Sequence, residues 1–336
     1  MGDGARRGRC GPPVETAVMR SYLDFEKPLA ELEARIEELR AVQADDGEVQ
    51  VGEEIARLEE KASQTLRDLY GELTPWQKTQ VARHPQRPHF VNFLDRLVED
   101  FVPLSGDRKF GDDDAILGGF GRFRGESICV IGHEKGSTTE ARLKHNFGMA
   151  RPEGYRKAVR LMEMADRFEI PVLALVDTAG AYPGIDAEER GQAEAIARST
   201  EACLNLGVPN VALVIGEGGS GGAIAIDTAS RVLMLEHAIY SVISPEGAAS
   251  ILWHDTTKAQ EAATNMKITA EDLLKFGIID QIVPEPVGGA HRDPDGAIAN
   301  AGDAIAAAFR ELKSLDRDAV RSLRRDKFLA IGRGKF

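Results

Sequence analysis

A run of glycines directly after an apolar, strand-like segment constrains this chain more than any other feature. Residues 211–215 (VALVI) are aliphatic, residues 216–222 read GEGGSGG, and small helix formers follow from Ala223. Glycine leaves backbone N–H groups uncovered and permits positive φ, so a ligand can approach the main chain closely. A strand, a glycine turn and a helix N-terminus together form a site for negative charge.

The same plan occurs once before along the chain. Residues 171–176 form another buried-strand pattern, and residues 177–184 (DTAGAYPG) provide a glycine-containing turn before the next helical pattern. In open α/β sheets, ligands bind at the edge formed by the carboxyl ends of the parallel strands. Two such turns therefore predict two sets of backbone donors at a single edge of the sheet.

The motif alone leaves open which negative charge the glycines serve. Gly216, Gly218 and Gly221 spell G-x-G-x-x-G, with Glu236 about 20 residues further on, as in dinucleotide-binding proteins. The following helix is expected to be short, and no complete βαβ unit fits before the next strand, which disfavours a nicotinamide or flavin enzyme. No G-K-[ST] follows, so the stretch is not a P-loop.

Residues 218–222 also spell G-x-S-x-G, the nucleophile elbow of serine hydrolases. Ser220 would be the nucleophile, and its triad partners would follow it along the chain. The candidate partners are Asp227, His254, Asp255, Asp280 and His291. These histidines lie in polar segments without an evident orienting partner, so a serine hydrolase is the alternative hypothesis.

A third interpretation needs no side-chain nucleophile. The backbone N–H groups of Gly221 and Gly222 would stabilise one developing oxyanion, and those near Gly180 and Ala181 would stabilise another. Gly180 and Ala181, with Gly218 and Gly219, are second-rank candidates for substrate contact. This arrangement suits acyl-coenzyme A chemistry that passes through an enolate. Two tight turns without any catalytic role are the competing structural explanation.

The composition narrows the class of protein. The chain has 336 residues, of which 43% are hydrophobic and 29% charged, and its net charge of −12 disfavours nucleic acid as the main partner. No apolar run approaches the roughly 18 residues of a membrane span, and the N-terminus lacks the apolar segment of a secretory signal. The 3 cysteines lie far apart, so we expect no disulfide framework and no metal site in this chain. We expect a cytoplasmic protein.

The residue patterns predict an α/β protein of four parts, since strands alternate with helices over most of the chain. We expect residues 1–21 to be a disordered extension, with Met19 as an alternative start. Residues 22–100 are predicted to be a helical N-terminal arm that includes a helical hairpin. An α/β domain over 101–315 and a basic C-terminal tail over 316–336 complete the division.

Several elements of the domain follow from hydrophobic periodicity and turn residues. They are a β-hairpin over 115–133, strands over 171–176, 211–215, 231–235, 239–243 and 278–283, and helices over 153–169, 188–206 and 297–315.

Several longer sequence motifs indicate a family resemblance over about residues 22–315. They are LDFEKPLAELE (23–33), RHPQRP (83–88), NFGM (146–149), PEGYRKA (152–158), AEERGQ (187–192), EAIA (194–197), IGEGGSGGA (215–223), YSVISPEG (240–247), SILW (250–253), PEP (284–286) and GGAHR (288–292). The chain resembles the α subunits of the bacterial and plastid, multi-subunit type of acetyl-coenzyme A carboxylase carboxyltransferase. One departure is Ala179, where the family has proline, which leaves the first turn less rigid.

The resemblance implies a crotonase-like (ClpP/crotonase) superhelix of ββα units. It implies transfer of a carboxyl group from carboxybiotin to acetyl-coenzyme A, which gives malonyl-coenzyme A for fatty-acid biosynthesis. By the same resemblance, Gly221 and Gly222 would hold the oxyanion on the biotin side, and no protein general base would be required. Ser220 would then be a small spacer.

The resemblance also implies partners. A carboxyltransferase β subunit, expected to carry zinc and to hold coenzyme A, would complete an α2β2 assembly with the active site at the α–β interface. Carboxybiotin would be presented by the biotin carboxyl carrier protein, and biotin carboxylase would complete an ATP-binding enzyme system. A non-enzymatic scaffold that only supports a catalytic partner is the remaining alternative.

Overall fold

The computed structural model of the chain describes residues 20–45 and 51–333. The predicted extension over 1–21, with Met19 and Cys10, therefore lies almost entirely outside the described residues. The strands of the described part are β1 (Glu99–Pro103), β2 (Ile116–Phe123), β3 (Glu126–His133), β4 (Val172–Thr178), β5 (Asn210–Gly219), β6 (Arg231–Leu235), β7 (Ile239–Ser241) and β8 (Gln281–Val283).

Helices account for most of the remaining described residues. They are α1 (Lys27–Asp45), α2 (Gly52–Gly71), α3 (Pro75–Ala82), α4 (Phe90–Leu97), α5 (Thr139–Lys144), α6 (Pro152–Arg167), α7 (Ile185–Glu189), α8 (Gln192–Asn205), α9 (Ser220–Asp227), α10 (Pro245–Trp253), α11 (Ala259–Met266), α12 (Ala270–Lys275), α13 (Pro294–Leu312) and α14 (Arg317–Ala330). The mixture of strands and helices confirms the predicted α/β class. None of the helices in the described ranges combines the length and the apolar character that a membrane crossing requires.

All the strands named above belong to one sheet in the order β1-β2-β3-β4-β5-β6-β8, and β7 pairs with the far end of β5. The β1–β2 and β2–β3 pairs are antiparallel, and the later pairs are parallel. The β2–β3 hairpin is the one predicted over 115–133, and it turns at Arg124 and Gly125, both at positive φ. Because β3, β4 and β5 are parallel, their carboxyl ends lie at the same edge.

The main hydrophobic core surrounds the centre of this sheet. Every residue of β4 and β5 is buried, as expected for parallel strands covered on both faces. Helix α6 adds Leu161 and Met162 to the core, and α4 adds Phe90 and Phe93. The edge at which β4 and β5 end is therefore built directly on the main hydrophobic core.

Helices α1 and α2 form the predicted hairpin and have a hydrophobic cluster of their own, built from Leu29, Ile36, Ile55 and Ala62. Arg292 of the body holds this hairpin through two hydrogen bonds of 3.0 and 2.9 Å to the carboxylate of Glu33. Helix α4, by contrast, packs into the main core although it lies within the predicted arm. The division of the chain at residue 100 stays a prediction.

The glycine stretch differs from its predicted form. We predicted a turn directly after residue 215, but β5 continues to Gly219, because Gly218 and Gly219 pair with Tyr240 and Ser241 of β7. The turn is confined to Ser220, at φ +49°, where α9 begins. The helix predicted over 188–206 is also interrupted, since Gly191 at φ +81° separates α7 from α8.

The segment predicted as a basic tail forms α14 and packs on the sheet. Arg324 is 0% exposed, and its guanidinium donates to the carbonyl oxygens of Cys203, Leu204 and Leu206 at 2.8, 2.9 and 2.8 Å. The same group donates to Asn210 Oδ1 at 3.0 Å. A basic residue here satisfies buried backbone acceptors, so this part of the chain is not a solvated tail.

Candidate functional site

The two predicted glycine turns lie side by side at the carboxyl edge of the sheet. Strand β4 ends at Thr178, whose register partner in β5 is Gly218. Residues 179–181 follow β4, and β5 leads through Ser220 into α9. The structure therefore brings together the two segments that the sequence repeat predicted to meet.

Their contact is made by main-chain atoms. A Cβ added to Gly219 would lie 2.2 Å from the carbonyl carbon of Ala179, and a Cβ added to Gly222 would lie 2.7 Å from that of Gly180 and 2.8 Å from the nitrogen of Ala181. All three distances are far below a van der Waals contact. Glycine at 219 and 222 is thus required for the two turns to touch.

Gly221 has a different environment. A Cβ there would meet only Ile196, at 3.5 and 3.7 Å, which are ordinary contact distances. Its φ is not in the left-handed region, and the residue is partly exposed. Neither backbone strain nor internal packing explains why this position is glycine.

The first turn of α9 presents free donors near Gly221. The leading N–H groups of a helix have no intrahelical acceptor, and no side chain caps α9 at its N-cap residue, Gly219. Gly221 and Gly222 occupy the second and third positions of the helix. Their N–H groups and the helix dipole favour an anion at this end.

The other turn supplies fewer donors than predicted. Gly180 has φ +147°, a conformation that favours glycine, but its N–H donates to Thr178 Oγ1 at 3.1 Å. The hydroxyl of Thr178 in turn donates to the Gly180 carbonyl oxygen at 2.8 Å. Ala181 N–H has no acceptor among the described residues, so it is the available donor of the pair.

Gly218 and Gly219 are both buried, unlike the partly exposed Gly180, Ala181 and Gly221. A Cβ at Gly218 would lie 2.8 Å from the Tyr240 ring, so this glycine makes room for Tyr240. Packing therefore accounts for Gly218 and Gly219, and their predicted contact with substrate stays a prediction.

The geometry around Ser220 gives the hydrolase hypothesis no support. Its positive φ resembles a nucleophile elbow, yet no described histidine is hydrogen-bonded to its hydroxyl. His254 is exposed at the end of α10, whereas His291 stacks on His84 with a ring separation of 4.0 Å near the helical hairpin. The predicted triad therefore does not assemble on these residues.

Sequence reasoning missed a charged cluster directly behind the two turns. Lys135 Nζ lies 2.8 Å from Asp177 Oδ1 and 2.6 Å from Glu217 Oε2, and all three side chains are nearly buried. Asp177 immediately precedes Thr178 in β4, and Glu217 immediately precedes Gly218 in β5. Asp177 and Glu217 each lay inside one of the two glycine motifs, but no sequence pattern pointed to Lys135.

Two further groups complete this charged cluster. His89 Nδ1 lies 3.1 Å from Asp177 Oδ2, and Arg83 Nε donates to Glu217 Oε1 at 2.6 Å. A histidine–aspartate pair thus lies beside the first turn. Since a carboxylate can only accept, Nδ1 of His89 carries the proton, and its Nε2 is buried without a partner among the described residues.

The cluster remains ionised despite its burial. Burial opposes charge on Lys135, but Asp177 and Glu217 outweigh it and raise the pKa of Lys135. Burial likewise opposes charge on the carboxyls, yet Lys135 and His89 lower the pKa of Asp177, and Lys135 and Arg83 lower that of Glu217. The positive and negative charges therefore stabilise one another.

Comparison with solved structures identifies the class of fold. Transcarboxylase 12S aligns with 68% of this chain and 42% of its own, at a TM-score of 0.56 and 20% identity. The Pseudomonas malonate decarboxylase hetero-tetramer aligns with 64% of this chain and 86% of its own, at a TM-score of 0.54 and 16% identity. The β subunit of P. aeruginosa geranyl-CoA carboxylase aligns with 74% of this chain and 46% of its own, at 0.53 and 16%. The chain has the crotonase-like fold of these carboxyltransferases, as predicted.

Sequence comparison identifies the family. The family model described as acetyl co-enzyme A carboxylase carboxyltransferase-like matches residues 22–332. The acetyl-coenzyme A carboxylase carboxyl transferase subunit alpha of Rhodopseudomonas palustris is 76% identical over 315 residues, which cover 94% of this chain and 98% of that protein. The subunit of the same name from Xanthobacter autotrophicus is 75% identical over 315 residues, 94% of this chain and 99% of its own. The chain belongs to the acetyl-coenzyme A carboxylase carboxyltransferase family, which confirms the predicted resemblance.

Proposed function

We propose that this chain is the α half of a biotin-dependent carboxyltransferase and transfers a carboxyl group from carboxybiotin to acetyl-coenzyme A. The product is malonyl-coenzyme A, and the reaction is the first committed step of fatty-acid biosynthesis. The names of relatives about 75% identical support this acceptor. Two proteins that share the fold, transcarboxylase 12S and malonate decarboxylase, were solved with a coenzyme A compound bound.

The open space at Gly221 is the observation that carries the assignment of the site. Neither the φ of Gly221 nor the packing of its neighbours requires glycine at this position. At Gly219 and Gly222, by contrast, packing does require glycine. A glycine that the fold does not require, at the N-terminus of a helix, fits close approach of a ligand to the main chain.

In this proposal the N–H groups of Gly221 and Gly222 hold the charge that develops on the biotin side. Carboxybiotin would supply the carboxyl group and be left with negative charge on its ureido oxygen. Its ureido nitrogen would then take the proton that the methyl group of acetyl-coenzyme A loses as the new carbon–carbon bond forms. Fixed donors aimed at such an oxygen contribute roughly 3 kcal/mol each to transition-state stabilisation. The free N–H of Ala181, across the contact between the turns, is the candidate donor for the second oxyanion.

A partner subunit is needed to enclose this site. Ala179 is exposed, and the edge around Gly221 is open. The segment that follows β7 carries three large apolar side chains in contact with solvent, since Val242, Ile251 and Leu252 are 77%, 67% and 65% exposed. Val242 directly follows Ser241, the register partner of Gly219. We assign this apolar surface of Val242, Ile251 and Leu252 to the interface with the carboxyltransferase β subunit.

The further partners are those that the family resemblance implies. The β subunit would hold acetyl-coenzyme A and carry the zinc, and α2β2 is the proposed assembly. The carrier protein would deliver carboxybiotin to Gly221 from biotin carboxylase. In the described ranges, no group of three His, Cys, Asp or Glu side chains is arranged to hold a metal ion. We propose a cytoplasmic location.

The test is malonyl-coenzyme A formation by the complex of this chain with its β subunit. Gly221→Ala should fold and assemble normally, because its Cβ meets only Ile196. Its methyl group would keep the ureido oxygen from the donors, and we expect the rate to fall by on the order of 100-fold. Gly71→Ala is the matched control, since a Cβ at Gly71 meets nothing within 4 Å.

A scaffold that only supports a catalytic partner predicts another result. The Gly221→Ala complex would then retain the wild-type rate, and the donors at the start of α9 would lose their proposed role. Absence of malonyl-coenzyme A from the wild-type complex, with active biotin carboxylase and carrier protein present, would exclude the function itself.

A further inference from the structure

We infer that Lys135 is a positioning residue for carboxyl transfer, because it ties together the strands from which the two glycine turns emerge. The inference rests on the function proposed above. Lys135, Asp177 and Glu217 are called the lysine clamp below. The bonds of Lys135 are to these two carboxylates, so it would act on the turns through them.

The clamp connects the carboxyl ends of three neighbouring strands. Lys135 follows the end of β3, Asp177 lies in β4 and Glu217 lies in β5. Its ammonium is 2.8 Å from the Asp177 carboxylate and 2.6 Å from that of Glu217. Each carboxylate is attached to the strand that leads into one of the turns, so the lysine fixes their separation.

The Asp177 carboxylate has a fixed position against the backbone of β5. A Cβ at Gly216 would lie 2.5 Å from Asp177 Oδ1, so the carboxylate occupies the space that a side chain would fill. The same oxygen accepts the N–H of Glu217 at 3.0 Å. Asp177 of β4 thus lies directly on the β5 backbone, and Lys135 neutralises it there.

The other groups that bind the clamp each hold only one of its two carboxylates. His89 binds Asp177 at 3.1 Å, and Arg83 binds Glu217 at 2.6 Å. Arg83 also reaches away from the strands to Glu246, at 2.7 Å. Lys135 is therefore the one described cation that bonds to both carboxylates, and removing it leaves two buried negative charges facing each other.

Separation of these charges would be transmitted directly to the turns. Thr178 and Ala179 follow Asp177 without an intervening loop, and Gly218 and Gly219 follow Glu217 in the same way. The backbones of Ala179 and Gly219 are in contact, so a small shift of either strand end changes the spacing between Gly221 and Ala181. Preorganised donors lose their effect when they are displaced by about an ångström.

A cavity on the same side can admit water if the clamp opens. Its volume is about 190 Å³, and it lies between the clamp and the first turn, with Lys135, His89, Arg142, Phe147 and Ala179 in its lining. Without Lys135, repulsion between the carboxylates of Asp177 and Glu217 would favour their separation, and Glu217 lies in the lining of this space.

The experiment compares Lys135→Met with Lys157→Met in the reconstituted α–β complex. Lys157 is also buried, at 2% exposed, and bonds Asp112 Oδ1 at 2.5 Å, but it lies on α6 away from the turns. We expect Lys135→Met to lower kcat by on the order of 100-fold and to leave the KM for acetyl-coenzyme A within about twofold. Lys157→Met should lower the melting temperature and leave kcat unchanged.

Two additional measurements separate positioning from loss of stability. Amide hydrogen exchange in Lys135→Met should accelerate in peptides covering 177–184 and 216–223 and stay unchanged in peptides from α6 and α13. Lys135→Arg should recover part of the lost kcat, because a guanidinium can bind both carboxylates. If Lys135→Met does not fold, Lys135→Arg and the milder Glu217→Gln provide the same two readouts.

The outcomes distinguish the inference from the proposed function. Wild-type kcat in Lys135→Met, or exchange that accelerates equally throughout the chain, would overturn the role of Lys135 while carboxyl transfer stands. A wild-type complex that forms no malonyl-coenzyme A would overturn the function, and the pattern of hydrogen exchange would still decide whether Lys135 holds the turns.

Discussion

Gly222 lies against Gly180 so closely that a single added carbon would reach within 2.7 Å of the Gly180 carbonyl carbon. The two residues come from different strand–turn–helix units, and their backbones meet without side chains between them. The site is therefore defined by a contact between two main chains. Substitutions at Gly222 and at Gly221 should differ in kind, although the two residues are adjacent.

We expect Gly222→Ala to displace the first turn. Forcing a methyl group into this contact should lower the free energy of unfolding by about 1–3 kcal/mol and abolish most of the carboxyl transfer. Chemical denaturation of the isolated chain and malonyl-coenzyme A formation by the complex measure the two effects. Gly221→Ala should reduce activity without the loss of stability, and equal loss in both variants would contradict this distinction.

Ser220→Ala should retain carboxyl transfer within about twofold, because in the proposed mechanism the hydroxyl has no role and alanine is close to serine in size. The activity of the reconstituted complex is again the measurement. A fluorophosphonate reagent should leave Ser220 unlabelled, since no histidine is placed to activate it. Labelling that disappears in Ser220→Ala would revive the hydrolase alternative.

His133 gives the stability of the chain a defined pH dependence. This residue is 0% exposed beside Asp177, Lys135 and Gly222, and burial lowers its pKa to about 4. The unfolded chain binds a proton near pH 6.5 and the folded chain only near pH 4. The contribution of neutral His133 is therefore complete above pH 6.5 and falls by about 1.4 kcal/mol per unit between pH 6.5 and 4.

The comparison with His133→Gln isolates this contribution from those of other titrating groups. Among them is Asp227, whose pKa burial raises to about 6, which acts in the opposite direction. We expect the stability difference between the two proteins, from denaturant titrations at pH 7, 6 and 5, to shrink as the pH falls. A difference that is constant over this range would contradict the assignment.

The apolar surface of Val242, Ile251 and Leu252 offers a direct test of the partner interface. Ile251→Asp should weaken association with the β subunit by at least about tenfold, because a charge would be placed at a face that must lose water on binding. Sedimentation or size-exclusion analysis of the mixed subunits measures this. Val102→Asp is the control, since Val102 is 59% exposed on β1, away from the turns, and should assemble normally.

Local patterns in the sequence were sufficient for much of the fold. The hairpin of β2 and β3 and the buried strands β4 and β5 each follow from residues that lie next to one another. The two glycine turns were predicted to share an edge because parallel strands leave no other arrangement. The longer motifs that the chain shares with its family then indicated the reaction.

The rest depends on contacts between distant residues. β5 extends through its glycines because β7 pairs with it, and no local pattern indicates that pairing. Lys135 lies far from Glu217 in the chain, and His89 lies far from Asp177, so no local sequence motif predicts either contact. Gly221 and Gly222 look equivalent in the sequence. Only the packing around them shows that Gly222 is required for the contact between the turns, whereas Gly221 leaves open space beside the main chain.

Arg324 constrains the order in which parts of the fold can be completed during translation. Its guanidinium binds carbonyl groups of the last turn of α8 and of the segment that follows it, yet Arg324 is synthesised after all eight strands of the sheet. A nascent chain on the ribosome must therefore hold these acceptors unsatisfied, or solvated, until α14 emerges. The edge of the sheet that carries the proposed active site can form early in translation. The opposite end is completed only when α14 has been synthesised and Arg324 binds its carbonyl acceptors.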